Sequence, residues 1–129
     1  MPGRPTRRSA WIPFGIWVAV VFGLSSIPNL GPPNIGLPMA DKLCHLGEYG
    51  MLGILFARVQ LPGVSRRRAL LTGALLGLLI GAIDESYQSG TPGREVSGLD
   101  ALADTVGAAL GALAWTLWTA RLQRRRAPN

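Results

Sequence analysis

Side chains able to do chemistry gather at three places in this 129-residue chain. The first is the stretch DKLCHLGEYG, residues 41–50, which holds Asp41, Lys42, His45, Glu48 and Tyr49. His45 and Lys42 are the only histidine and the only lysine in the sequence. The second, from residue 84 to 94, holds Asp84, Glu85, Gln88 and Arg94, and the third holds Asp100 and Asp104. An imidazole titrates near neutrality, so His45 suits general acid–base work. Glu48 and Glu85 are placed to orient it, to act as a second base, or to bind a cation. Lys42 and Arg94 supply the cationic donors that clamp a phosphate or pyrophosphate. Asp41, Tyr49, Gln88, Asp100 and Asp104 complete the expected ligand contacts. His45, Glu48 and Glu85 also form a weak set for a divalent cation such as Mg²⁺, Mn²⁺ or Zn²⁺. No HExxH, cysteine pair or second histidine reinforces that option, so no cofactor is identified. Cys44 is read as inert packing rather than as a nucleophile, because adjacent helical residues point about 100° apart.

These groups have to be held by apolar helices. Hydrophobic residues make up 48% of the chain, charged residues only 16%, and the mean hydropathy is +0.27. Residues 10–27, 69–83 and 105–120 carry no charge, and LGILFA extends a fourth apolar run from Leu43. With its flanks, each run approaches the ~20 residues that cross a hydrocarbon core. The expectation is an all-α polytopic membrane protein, a four-helix bundle with spans near 10–27, 42–60, 68–88 and 100–120. One membrane domain, 10–120, lies between a basic segment, 1–9, and a basic tail, 121–129, expected to fray. The first span has no good cleavage site after it (LSSIPNLG), so it reads as a helix rather than a signal peptide. The lone cysteine says nothing about redox compartment. Pro32-Pro33, Pro62-Gly63 and Pro92-Gly93 mark the connections, and Ser97 or Asp100 caps the last helix.

Charge gives the chain a direction. Eleven of the thirteen basic residues cluster at Arg4–Arg8, Arg58–Arg68 and Arg121–Arg126. In a four-span chain these clusters share one side, so both termini are expected in the cytoplasm by the positive-inside rule. That distribution accounts for the net charge of +6 by topology and lipid contact, without a nucleic-acid partner. All seven acidic residues fall toward the other side, a segregation the rule does not demand.

Depth and face sharpen this. With ~1.5 Å rise per residue, His45 lies ~6 Å and Glu48 ~10 Å below Asp41. Asp41, His45 and Glu48 share a face by their i, i+4, i+7 spacing, and Lys42, His45 and Tyr49 form an overlapping stripe. Small residues recur four apart at Gly73, Gly77 and Gly81, and at Ala103, Gly107 and Gly111, with Gly47, Gly50 and Gly53 on the second helix. Such faces let backbones approach closely in lipid, and a homodimer through one of them is an option. Glu85 is placed on the Gly77–Gly81 face, and Asp100 and Asp104 on the Gly107–Gly111 face. Ionisable groups inside a membrane cost a few kcal/mol unless paired or hydrated, so the expectation is a shared, outward-facing polar site.

The ordered set of motifs resembles the VanZ-like family of small bacterial membrane proteins over about residues 10–120. It comprises D-K-x-x-H and E-Y (Asp41, Lys42, His45, Glu48, Tyr49), E-x-x-Q (Glu85, Gln88), P-x-R (Pro92, Arg94), and D-x-x-x-[ND]-x-x-G (Asp100, Asp104, Gly107). Asp104 departs from the asparagine usual in that family. The resemblance implies a multi-pass protein of the bacterial cytoplasmic membrane, N-in and C-in, linked to glycopeptide (teicoplanin) resistance.

Two classes of function follow. One is an enzyme or ligand site at the outer membrane-water interface for an anionic lipid or lipid-linked cell-envelope precursor, with hydrolysis or group transfer as the reaction. The other is a non-catalytic membrane interaction module for envelope assembly, in which the polar cluster sets helix register. Ion-coupled transport is a third, disfavoured because no carboxylate lies in the cytoplasmic half.

Overall fold

The computed structural model describes residues 7–32, 34, 36–60 and 63–126, with side chains from residue 9. Arg4, Pro33 and Pro62 lie outside the described residues, as do the side chains of Arg7 and Arg8. Four helices form: α1 (Arg7–Ser25), α2 (Ala40–Val59), α3 (Arg66–Gln88) and α4 (Gly98–Arg126). No strand occurs among the described residues. Local chemistry sets the ends. Ser65 caps α3 by accepting from the Arg68 N–H at 3.2 Å. The Ser97 carbonyl accepts from the N–H groups of Asp100 and Ala101, so Ser97 precedes the first turn of α4. Asp41 and Asp100 lie in first turns, where the helix dipole favours a carboxylate.

The tail departs from expectation. α4 does not fray at Ala120 but runs to Arg126, with Arg124, Arg125 and Arg126 in its last turn. Leu and Arg are good helix formers, and cations are favoured at a helix C-terminus.

α4 is the centre of the bundle, packed against both α2 and α3, while α1 leans on α2 and α3 alone. The α3–α4 seam is built from glycine facing alanine. A methyl group added at Gly73 would lie 2.7 Å from the Ala108 carbonyl oxygen, and one at Gly77 2.7 Å from that of Asp104. On the α2–α4 seam, a methyl at Gly107 would lie 2.5 Å from the Leu46 carbonyl. Gly50 and Gly53 also meet α4, whereas Gly47 faces open space. The α4 surface toward α3 is Asp104, Ala108 and Ala112, a second small-residue stripe beside Gly107 and Gly111. The buried core is Val21, Tyr49, Leu52 and Ala108, flanked by Phe14, Trp17, Leu76 and Ile80.

The outside is apolar. Ile12, Ile16, Leu71, Leu75, Leu79, Ile83, Leu102, Leu110 and Trp118 are all exposed. Exposed apolar surface on this scale marks a surface that meets lipid or a partner. α3 and α4 are each long and apolar enough to cross a membrane. α1 is apolar but shorter over its described stretch, Ser9–Ser25.

Candidate functional site

The acidic side chains collect where α1 ends, α2 begins, α3 ends and α4 begins. Three cross-links tie this end together. The Trp17 indole N–H donates to the Glu48 carbonyl at 2.9 Å, fastening α1 to α2. The Gln88 amide donates to Ser25 Oγ at 3.1 Å and to Asp84 Oδ2 at 2.7 Å, fastening α3 to α1. Arg94 donates from one guanidinium nitrogen to the Leu30 carbonyl and from the other to the Leu24 carbonyl, each at 2.9 Å. That brings the α3–α4 loop onto the α1–α2 loop, where the Asn29 N–H also donates to the Pro92 carbonyl. Gly93 takes a positive φ of 75°, and the Asn29 side chain occupies the space that a Cβ there would need.

Between these ties lies a cavity of about 390 Å³. Its polar wall is Asp41, His45, Glu48, Asp84, Gln88 and Arg94, and Leu24, Leu30 and Pro32 form its apolar rim. α2 presents Asp41, Cys44, His45 and Glu48 to it, one face of a helix at i, i+3, i+4 and i+7 spacing.

His45 links the cavity to α4. Its Nδ1 lies 2.9 Å from Asp104 Oδ1, and its Nε2 lies 3.7 Å from Asp100 Oδ1. Asp104 is fully buried. A carboxylate only accepts, so the proton of a neutral His45 sits on Nδ1 and leaves Nε2 as the basic nitrogen. Proton uptake at Nε2 would face Asp100. The pair can therefore hold His45 in either state, as an acid–base residue requires. The Lys42 ammonium donates to Asp41 Oδ2 and Asp100 Oδ1, both at 2.6 Å, bridging α2 to α4.

The expected site residues divide by position. Asp41, His45, Glu48, Gln88 and Arg94 line the cavity. Lys42, Asp100 and Asp104 stand behind His45, tied to α2 by the contacts above. Tyr49 is fully buried in the core one turn below His45, its hydroxyl without a partner among the described residues. Glu85 is partly buried and does not line the cavity, and its Oε1 is buried without a partner among the described residues. Asp84, its neighbour, lines the cavity instead and is 2% exposed. Geometry could have found it: at about 100° per residue, Asp84 falls ~20° from the Gly73 and Gly77 directions and Glu85 ~80° from that of Gly77. Ser25 had no sequence signal, since only the fold places it opposite Gln88. Cys44 is exposed and lines the cavity rather than packing inside. Among the described residues, no three His, Cys, Asp or Glu side chains gather closely enough to hold a metal ion, so His45, Glu48 and Glu85 do not form the divalent-cation set that their types allowed.

A family model described as VanZ/LLP1 matches residues 2–119, and the chain belongs to that family. No curated protein and no solved structure gives a match.

Proposed function

We propose that this VanZ/LLP1 member spans the cell membrane four times with both termini in the cytoplasm, and that its cavity opens at the outer surface. Support comes from the separation of ends: the carboxylates cluster around the cavity, while Arg58, Arg66–Arg68 and Arg121–Arg126 lie at the opposite end. The exposed apolar side chains between the two ends supply the lipid-facing belt.

The cavity then takes the polar head of a phosphate-bearing membrane lipid or lipid-linked envelope precursor, whose chains lie along the apolar rim. His45 provides proton transfer at that head. The observation that carries this reading is the hydrogen bond from His45, on the cavity wall, to the buried Asp104 carboxylate. It orients the ring and sets which nitrogen is basic. Glu48, on the same wall one turn deeper, is the second acid–base group. A hydrolysis or group transfer at the head would use both.

One observation favours the non-catalytic alternative. Lys42 and Arg94, the two cations at this end, are both engaged in ties between helices, as expected of groups that set register. The two readings separate in cells. Teicoplanin susceptibility and envelope integrity are scored for strains carrying the wild-type chain, His45→Ala or Glu48→Gln, with membrane levels matched. The acid–base reading expects both variants to behave as nulls. Wild-type behaviour from both at equal expression contradicts it. Lipid retention is read by native mass spectrometry of the full chain. A retained lipid whose loss follows Glu48→Gln supports the head-binding site, and no retained lipid contradicts it.

A further inference from the structure

The charge balance inside the cavity identifies what enters it. Three carboxylates line the wall: Asp41, Glu48 and Asp84. Asp41 is paired with Lys42 at 2.6 Å, a cation it shares with Asp100. Glu48 forms no side-chain hydrogen bond or ion pair among the described residues. Asp84 is 2% exposed, and although Oδ2 accepts from Gln88, Oδ1 is buried with no partner among the described residues. A buried carboxylate oxygen left unpaired has given up its hydration with nothing in exchange, which is costly. Neither cation at this end makes a hydrogen bond or ion pair with these acceptors, although Arg94 lines the same wall and its Nε is buried without a partner among the described residues. Lys42 sits on Asp41 and Asp100, and the two terminal guanidinium nitrogens of Arg94 sit on the carbonyls of Leu24 and Leu30. The one ring with a proton to give, His45, already spends its Nδ1 on Asp104.

A bare phosphate brings only acceptors to such a wall: it could take the Arg94 Nε–H but would meet Glu48 and Asp84 as like charges. A primary ammonium brings three donors and a positive charge, matching the two Glu48 oxygens and Asp84 Oδ1. A quaternary ammonium has the charge but no N–H. Lys42 already shows, on the neighbouring carboxylates, that this end of the bundle accommodates an ammonium.

We infer that the cavity binds the primary ammonium of a membrane-lipid head, held by Glu48 and Asp84, with the phosphate of that lipid left outside at the rim. This rests on the head-binding reading above and names the group that enters. The apolar rim of Leu24, Leu30 and Pro32 favours an amine carried on a lipid over a free one.

Cys44 is the only cysteine, is exposed, and lines the same cavity, so its alkylation reports occupancy. The full chain is placed in nanodiscs of phosphatidylcholine, phosphatidylethanolamine or phosphatidylglycerol and labelled with an uncharged maleimide. Phosphatidylcholine and phosphatidylethanolamine have the same net charge, so their difference isolates the N–H donors. Labelling is expected to be about fivefold slower or more in phosphatidylethanolamine than in phosphatidylcholine, as when ligand stands about four times above its dissociation constant. Glu48→Gln should abolish that difference, and Asp84→Asn should reduce it, with circular dichroism confirming the fold of each. Equal rates in the two lipids, with protection by phosphatidylglycerol or inorganic phosphate, overturn the ammonium assignment and leave the head-binding site standing. Protection by free ethanolamine in phosphatidylcholine discs, with none from phosphatidylethanolamine, overturns the lipid source. Equal labelling under every condition overturns both this inference and the reading beneath it. Protection that persists in both variants removes Glu48 and Asp84 as its cause and overturns the inference.

Discussion

Replacing Gly77 by alanine tests whether the α3–α4 seam holds the site in register. The added methyl would lie 2.7 Å from the Asp104 carbonyl oxygen and 2.9 Å from both Ala108 Cβ and Thr105 Cα. Carbon atoms rest about 3.5–4.0 Å apart, so the helices must separate by roughly 0.6–1 Å at this point. All three neighbours belong to helix backbone or to its first side-chain carbon, which leaves no flexible end to move aside. Overpacking of this kind costs about 1–3 kcal/mol, or roughly a five- to 150-fold fall in the folded-to-unfolded ratio. Gly47→Ala is the matched control, because nothing lies within 4 Å of a methyl there. That change should be neutral or stabilising by up to about 1 kcal/mol through helix propensity. Reversible unfolding of both variants in bicelles measures the difference. The displaced backbone is that of Asp104, so the Nδ1 resonance of His45 should shift in Gly77→Ala and not in Gly47→Ala. Equal stability of the two variants would refute the close glycine–alanine seam.

Lys42→Met leaves Asp41 and Asp100 without their shared cation. Breaking a buried pair costs about 3–5 kcal/mol, and with the Asp41 side chain 44% exposed the expected loss is reduced to about 1–3 kcal/mol. Adding Asp100→Asn should recover part of it in the same unfolding assay. Arg94→Lys keeps the charge but cannot reach the Leu24 and Leu30 carbonyls in the same two-nitrogen geometry. The end of α1 should then loosen, seen as several-fold faster Cys44 alkylation and easier cleavage between residues 28 and 38. Unchanged rates would show that the Arg94 contacts do not hold the loops together.

Much of this arrangement was legible because it rests on spacing. Gly73, Gly77 and Gly81 recur four apart and meet α4, and the i, i+4, i+7 spacing of Asp41, His45 and Glu48 brings all three to the cavity wall. Spacing failed where two faces compete. α4 packs on both α2 and α3, and its Asp104–Ala108–Ala112 stripe lies one residue around from the more conspicuous Gly107 and Gly111. Choosing Glu85 over Asp84 on α3 was the same kind of error, a single step of about 100°. Contacts between loops were beyond reach. Nothing in the types of Leu24, Leu30 and Arg94 announces that two backbone carbonyls will occupy the guanidinium. The tail beyond Ala120 is expected to fray on its run of charge, yet a helix C-terminus favours the cations found in its last turn.

The central claim is an outward-opening cavity whose wall carries His45 and Cys44. The most direct measurement is alkylation of Cys44 by a membrane-impermeant maleimide, compared between intact cells, outer barriers permeabilised, and inverted membrane vesicles. Modification is expected in cells and protection in inverted vesicles. Modification only in inverted vesicles would place the cavity on the cytoplasmic side and contradict the claim.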